Sequence, residues 1–254
     1  MSRADHILLA VDAGNTHVNF GVFAGERLAA TGKLAHGDVA QLADAVRQAF
    51  PQGGVTAAGV ASVVPSLNQR LAEGCRQVTG NDPQFFYHTS NLGLGFKVDR
   101  PEAVGADRLV NAAGAFHLFG GPLVVVDAGT AITVCAVNAA GDFLGGAIAP
   151  GPGLALKALT DGAEQLPVVE IKSPARAVGR NTDEAMRAGV VIGCAGLIDR
   201  LAGEAAGEAA NTGKAPVYLT GGQAGLLSPY LKVTHKEVPH LTLKALRLLL
   251  ERGR

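Results

Sequence analysis

Residues Leu8–Phe23 read LLAVDAGNTHVNFGVF, and residues Leu123–Val137 read LVVVDAGTAITVCAV. Each copy is an apolar run, an Asp-x-Gly turn and a second apolar run. Asp12 aligns with Asp127, Gly14 with Gly129 and Val22 with Val137, all at an offset of 115 residues. Short apolar runs bounded by turn residues read as buried strands, so each copy is a strand–turn–strand hairpin. One such hairpin, taken alone, is an ordinary turn whose Asp and Asn suit turn geometry. Two copies at half-chain spacing describe duplicated lobes with a cleft between them. In that setting Gly14 lets the backbone approach an anion, and successive N–H groups can cradle a phosphate. Asn15 and Thr16 add side-chain donors. Asp12, at the strand end, can hold a hydrated Mg²⁺ that neutralises the phosphates.

Around the hairpins the pattern alternates between strands and helices, which predicts mixed α/β layers. Asp38–Phe50 reads as a helix with Asp38 as its cap, and Val39, Leu42, Val46 and Phe50 on one face. Gly59–Val64 and Phe85–His88 read as strands, and Leu67, Leu71, Cys75 and Val78 form a helical stripe. A long Ala/Gly-rich helix is expected from Thr182 towards Ala205, and Pro216–Leu219 reads as a strand feeding the Gly221-Gly222 turn. A last helix spans Leu241–Leu250. The repeat places one lobe at residues 1–115 and the other at 116–254.

Composition removes several classes. Lys+Arg and Asp+Glu both total 22, so the chain has no basic excess with which to hold nucleic acid or an anionic membrane. Aromatics are 5% and Trp is absent, which leaves Ala, Val and Leu to build the core. Cys75, Cys135 and Cys194 are scattered, with no CxxC pair, and read as buried apolar residues in a reducing, cytoplasmic setting. No stretch approaches the ~18 apolar residues of a membrane span. Gly32-Lys33 is followed by Leu34 and Gly213-Lys214 by Ala215, so neither is a Walker A loop, and no GxGxxG follows a strand. The 34 glycines therefore need another purpose.

Twin Asp-x-Gly hairpins with a strand running into Gly221-Gly222 resemble the acetate/sugar kinase–Hsp70–actin superfamily, in which two ribonuclease-H-like lobes grip ATP. Further motifs narrow the resemblance. Gly105-Ala106-Asp107-Arg108 opens a helix, Gly145-Gly146-Ala147-Ile148-Ala149-Pro150-Gly151 follows the second hairpin, Leu166-Pro167 comes next, and Gly179-Arg180-Asn181-Thr182 leads into Ala185-Met186 and Gly189. In this order they resemble type III pantothenate kinase. The resemblance spans about Leu8 to Leu227.

It implies ATP-dependent phosphorylation of pantothenate, the first step of coenzyme A synthesis, with Asp107 as the base that receives the proton of the primary hydroxyl. It implies ATP contacts from Asp12, Ala13, Gly14, Asn15, Thr16, His17, Val18, Asn19 and Thr130. Substrate contacts come from Gly105, Ala106, Asp107, Arg108 and Thr182, and Asp127 holds K⁺ or NH₄⁺. It also implies a homodimer. Arg108 has three readings, a partner of the substrate carboxylate, a support for Asp107, or a member of an ordinary surface ion pair. Many family members carry a Tyr three residues before the proline that precedes the Gly-Ala-Asp-Arg motif; here that position is Val98, with Phe96 close by. Two rivals remain at this point: a superfamily kinase for another small acid or sugar, and a noncatalytic protein on the same scaffold.

Overall fold

The computed structural model describes residues 6–211 and 213–253. It builds two sheets from β1 (Ile7–Ala13), β2 (His17–Ala24), β3 (Arg27–Ala35), β4 (Val55–Ser62), β5 (Gln84–Phe85), β6 (Gly95–Phe96), β7 (Leu123–Ala128), β8 (Ala131–Val137), β9 (Asp142–Pro150), β10 (Val217–Thr220) and β11 (His235–Glu237). The helices are α1 (Leu42–Ala49), α2 (Asn68–Thr79), α3 (Ala106–Phe119), α4 (Pro152–Gly162), α5 (Thr182–Ala210), α6 (Ala224–Leu227) and α7 (Leu241–Arg252).

The first sheet has the order β3-β2-β1-β4-β5, and the second runs β11-β10-β7-β8-β9-β6. Strand directions match one for one. β1 is antiparallel to β2 and parallel to β4, as β7 is antiparallel to β8 and parallel to β10. Each sheet is thus a ribonuclease-H-like unit, and β6 is an addition beside β9. The repeat holds with one refinement. Asp12 faces Asn19 and Ala13 faces Val18, whereas Asp127 faces Thr133 and Ala128 faces Ile132. The second turn is one residue shorter, so beyond it the offset falls to 114, and Val137 takes the place of Phe23 rather than Val22. The register shifts agree, falling between Val22 and Phe23 in one copy and between Ala136 and Val137 in the other.

The chain divides into two compact units, but not by a single cut at residue 115. One unit comprises Met1–Leu94, Asp99–Leu118 and Leu241–Arg254; the other comprises Gly95–Val98 and Phe119–His240. The C-terminal helix joins the first unit because its leucine face covers β1 and β4, with Leu250 seated over Gly59. On the opposite face of that sheet Leu9, Val11, Val18 and Phe20 pack with Leu42, Val46 and Leu71. The predicted helix at Asp38–Phe50 is shorter. Residues His36–Gln41 form a 3-10 turn, α1 begins at Leu42, and Asp38 makes no cap. The tighter turn is anchored by Val39, which is fully buried, and by the His36 ring on the Gly14 carbonyl at 2.9 Å.

In the second unit, Val190, Val191 and Ile198 of α5 pack on Val124, Val126, Ile132 and Val134. All three cysteines are buried and none is in a disulfide, and burial pushes the Cys75 thiol up to about 12, which leaves it inert at neutral pH. Among the described residues no helix is long and apolar enough to cross a membrane.

The same substitution should have opposite signs in two helices. A Cβ on Gly114 of α3 would overlap Ala245 of α7, including its backbone, whereas one on Gly207 of α5 meets nothing within 4 Å. Gly207→Ala is expected to add about 0.5–1 kcal/mol through helix propensity. Gly114→Ala is expected to cost about 1–3 kcal/mol by overpacking. Urea melts of the two variants check this.

Candidate active site

In the first unit the carboxyl ends of the parallel strands β1 and β4 and of β5 gather the candidate residues. Open α/β sheets characteristically bind ligands at such ends. Asp12 and Ala13 close β1, and in the turn Gly14 N–H donates to the His17 carbonyl at 3.1 Å. The Ala13 carbonyl accepts from Val63 N–H at 3.0 Å, which ties the hairpin to the segment after β4. Val18 turns into the core, so of the stretch 12–19 its contribution is backbone. His17 lies on β2 opposite Ala35. Its pKa is lowered first by desolvation, then by the positive charges of Lys33 and His36.

The segment tied to Ala13 also walls a cavity of about 350 Å³, whose lining includes Ser62, Val63, Tyr87, His88, Gly105 and Ala106. Asp107 stands in the first turn of α3, directly after that wall. Its carboxylate folds back over Gly105, where a Cβ would come within 2.6 Å of Oδ1 and 3.4 Å of Val63. Oδ1 accepts from the Arg108 backbone N–H at 2.8 Å. Burial raises the Asp107 pKa, opposed in part by that N–H and by the Arg108 guanidinium. A half-buried carboxylate with its pKa raised, at the edge of a cavity, has the properties required of a general base.

In the second unit Asp127 and Ala128 close β7, with Asp127 in register with Thr133 on β8 and Thr220 on β10. Gly221 crosses directly over it. With φ of +99° and no room for a Cβ beside the Ala128 carbonyl and Asp127 Oδ1, that position accepts only glycine. Gln223 N–H donates to the Ala128 carbonyl at 2.8 Å and locks the turn over the hairpin. Thr130 is held from the other side, where its carbonyl accepts from Gly151 N–H at 2.9 Å. Gly151 packs so closely on Gly129 and Thr130 that a side chain would strike their backbone. The motif downstream of the second hairpin thus buttresses its turn.

Thr182 begins α5, but the cap is Asn181, whose side chain accepts from Glu184 N–H at 2.9 Å, while Glu184 accepts from Arg180 N–H. The Thr182 hydroxyl is left exposed and is not needed for capping. In the first unit the segment after β4 thus links residues 12–19 to 105–108, while in the second Asp127 and Thr130 share the hairpin and Thr182 begins α5.

Sequence reasoning missed Ser62, Tyr87 and His88. They lie at or just beyond strand ends, and only the strand order brings them beside Gly105; the reading of Phe85–His88 as one strand hid the last two. Neither substitute for the family's Tyr lines the cavity. Phe96 pairs with Phe143, and Val98 lies against Gly145, all in the second unit.

Among the described residues no group of three or more His, Cys, Asp or Glu side chains could cage a metal. A cation at Asp12 or Asp127 would thus complete its shell with phosphate, carbonyl and water oxygens, as Mg²⁺ commonly does. The carboxylates at these strand ends suit that role.

Known proteins resemble this chain in sequence and in fold. A family model described as type III pantothenate kinase matches residues 8–204. The type III pantothenate kinase of Moorella thermoacetica is 39% identical, over 97% of this chain and all of the relative. That of Roseiflexus castenholzii is 35% identical, over 98% of this chain and all of the relative. Among solved structures, the activator of the 2-hydroxyisocaproyl-CoA dehydratase from Clostridium difficile with bound ADPNP superposes with a TM-score of 0.56 at 11% identity, covering 97% of this chain and 95% of that one. That likeness speaks for the fold alone. The sequence matches go further: over nearly its whole length, this chain belongs to the type III pantothenate kinase family.

Proposed function

We propose that this chain phosphorylates pantothenate with ATP, the first step of coenzyme A synthesis, using Asp107 as base and the two hairpins as the nucleotide's phosphate holders. Family membership supports the reaction and sets aside both rivals, a kinase for another acid or sugar and a noncatalytic protein. One observation carries the division of labour. The Asp107 carboxylate folds over Gly105, which lines a cavity whose wall is hydrogen-bonded to the end of the first hairpin.

In this reading the backbone of Asn15 and Thr16 and the side chains of Asn15, Thr16 and Asn19 hold phosphate oxygens, and Thr130 makes the matching contact from the second hairpin. Gly105 and Ala106 shape the acceptor pocket, and Thr182 supplies its exposed hydroxyl to the substrate. Phosphoryl transfer passes through a loose transition state, so catalysis is largely positioning and charge stabilisation. Asp107 accepts the hydrogen bond of pantothenate's primary hydroxyl and holds its oxygen in line. As the oxygen–γ-phosphorus bond forms, Asp107 takes the proton and the β,γ-bridging bond breaks to release ADP. Mg²⁺ near Asp12 and K⁺ or NH₄⁺ at Asp127, when bound, neutralise phosphate charge.

We place the protein in the cytoplasm as a homodimer. In support, Gly189, Gly193, Gly196 and Gly203 form a stripe on α5 where an added Cβ would meet nothing within 4 Å, and over which a second backbone could pack closely. Light scattering of the purified protein tests this.

A coupled assay of ATP consumption tests the reaction. Turnover is expected with pantothenate and to depend on K⁺; turnover with acetate or hexoses but not pantothenate contradicts the assignment. Tyr87 is the aromatic surface of the cavity, 42% exposed and stacked on Phe85 at 6.2 Å. Tyr87→Ala is expected to raise KM for pantothenate by roughly ten-fold, the scale of one lost aromatic contact. KM for ATP should not change.

A further inference from the structure

The phosphate hairpin, residues 12–19, contains no Lys or Arg, and its one acidic side chain has the same sign as the ligand it is read to hold. A cation is nonetheless close by. Asp12 on β1, Asn19 on β2 and Lys33 on β3 are successive register partners, forming one row across the sheet. The next row, Ala13, Val18 and Leu34, turns into the core, and the Phe20 ring covers Gly32 on that same side. Lys33 therefore shares the face of Asp12 and Asn19.

Two strand spacings place Lys33 about 10 Å from Asp12 across the sheet, with Asn19 between them. A flexible four-carbon stem can bring its ammonium over that gap. Lys33 is exposed and takes part in no ion pair among the described residues. Its charge already reaches the turn, since it is one of the causes that lower the pKa of His17.

We propose that Lys33 contacts the phosphate chain of the bound nucleotide, supplying from β3 the positive charge that the hairpin itself lacks. This rests on reading the hairpin as a phosphate holder. It gives the Gly32-Lys33 pair, which fits no Walker A loop, a role of the same kind reached by a different geometry. Lys33 approaches from a neighbouring strand, facing Asn19, rather than from a helix N-terminus.

The test compares the full-length parent with Lys33→Ala and Lys33→Arg, measuring binding of ATP and of adenosine together with KM for both substrates. Lys33→Ala is expected to weaken ATP about ten-fold, the scale of one lost charge-assisted contact. Adenosine, which has no phosphates, should bind as in the parent, and KM for pantothenate should hold. Lys33→Arg should recover most of the ATP affinity. The proposal is overturned if Lys33→Ala binds ATP like the parent, or if it loses adenosine as much as ATP. An Asn15→Ala variant separates the two levels. If it weakens ATP while Lys33→Ala does not, the Lys33 inference falls and the hairpin reading stands. If neither variant weakens ATP, both fall.

Discussion

Asp107→Asn is expected to lower kcat by about 10²–10⁴-fold, the range supplied by a positioned general base, and at the same time to leave the protein as stable as the parent or more so. The substitution keeps the shape of the side chain and an oxygen to accept the Arg108 N–H, so the start of α3 has no reason to unravel. What it removes is a desolvated charge. Burial raises the Asp107 pKa in the folded state above its unfolded value, so the folded protein holds this proton more tightly. The group's contribution to stability is therefore greatest below the unfolded pKa and is lost as pH rises through the folded one. At neutral pH the ionised carboxylate costs stability, and Asn relieves that cost. Thermal melts at neutral and acid pH should show the gain of Asp107→Asn over the parent shrinking as pH falls. The same shift acts on catalysis with the opposite sense. The base works only when ionised, so kcat/KM should decline on the acid side at a pH above the ordinary carboxylate range. An Asn variant with near-parental turnover would remove Asp107 from its role and leave the fold unaffected.

Gly221→Ala is the second large effect. The added methyl would meet the Ala128 carbonyl and the Asp127 carboxylate at once, at a φ of +99° that L side chains rarely adopt. Strain of this kind costs about 1–3 kcal/mol where the surroundings hold it in place. Relief would require the turn or the carboxylate to move. Either way the Asp127 position is disturbed, and a loss of activity of ten-fold or more is expected, on the scale of ~1.4 kcal/mol per decade of rate, with reduced response to K⁺. Gly222→Ala is the internal control, because a Cβ there meets nothing within 4 Å. Rate against K⁺ concentration for the two variants checks the pair. Equal behaviour would mean that the approach of Gly221 to Asp127 has no part in activity.

What could be read in the chain beforehand follows the range of the interactions. Both hairpins are local patterns, an apolar run into Asp-x-Gly and out again, and they form where the residues predict. The long helix α5 begins at Thr182, as its Ala/Gly-rich run predicts, although the cap that starts it is Asn181, which accepts from Glu184 N–H three residues on. The strand β3 was not legible. Its residues RLAATGKLA offer little β-branched or aromatic signal, and it pairs because β2 presents an edge to it. The 114-residue offset beyond the second turn is likewise a matter of hydrogen-bond register, invisible to an alignment that slides one rigid block. The lobe boundary failed for the same reason: the leucines of α7 mark a buried face, but nothing in residues 241–252 says that the face belongs on β1 and β4. The cavity beside Gly105 was the least visible feature. Ser62, Tyr87 and Gly105 are far apart in sequence and meet only through parallel strand order. Asp107 could be singled out by its motif, whereas the wall beside it could not.

The central claim, that Asp107 receives the proton of pantothenate's primary hydroxyl, is tested most directly by a crystal structure with pantothenate and a nonhydrolysable ATP analogue. The measured quantity is the separation between that hydroxyl oxygen and the nearer Asp107 carboxylate oxygen. The account predicts hydrogen-bond contact, about 2.6–3.2 Å. A substrate whose hydroxyl lies beyond reach of Asp107, and is met instead by another base, would contradict it.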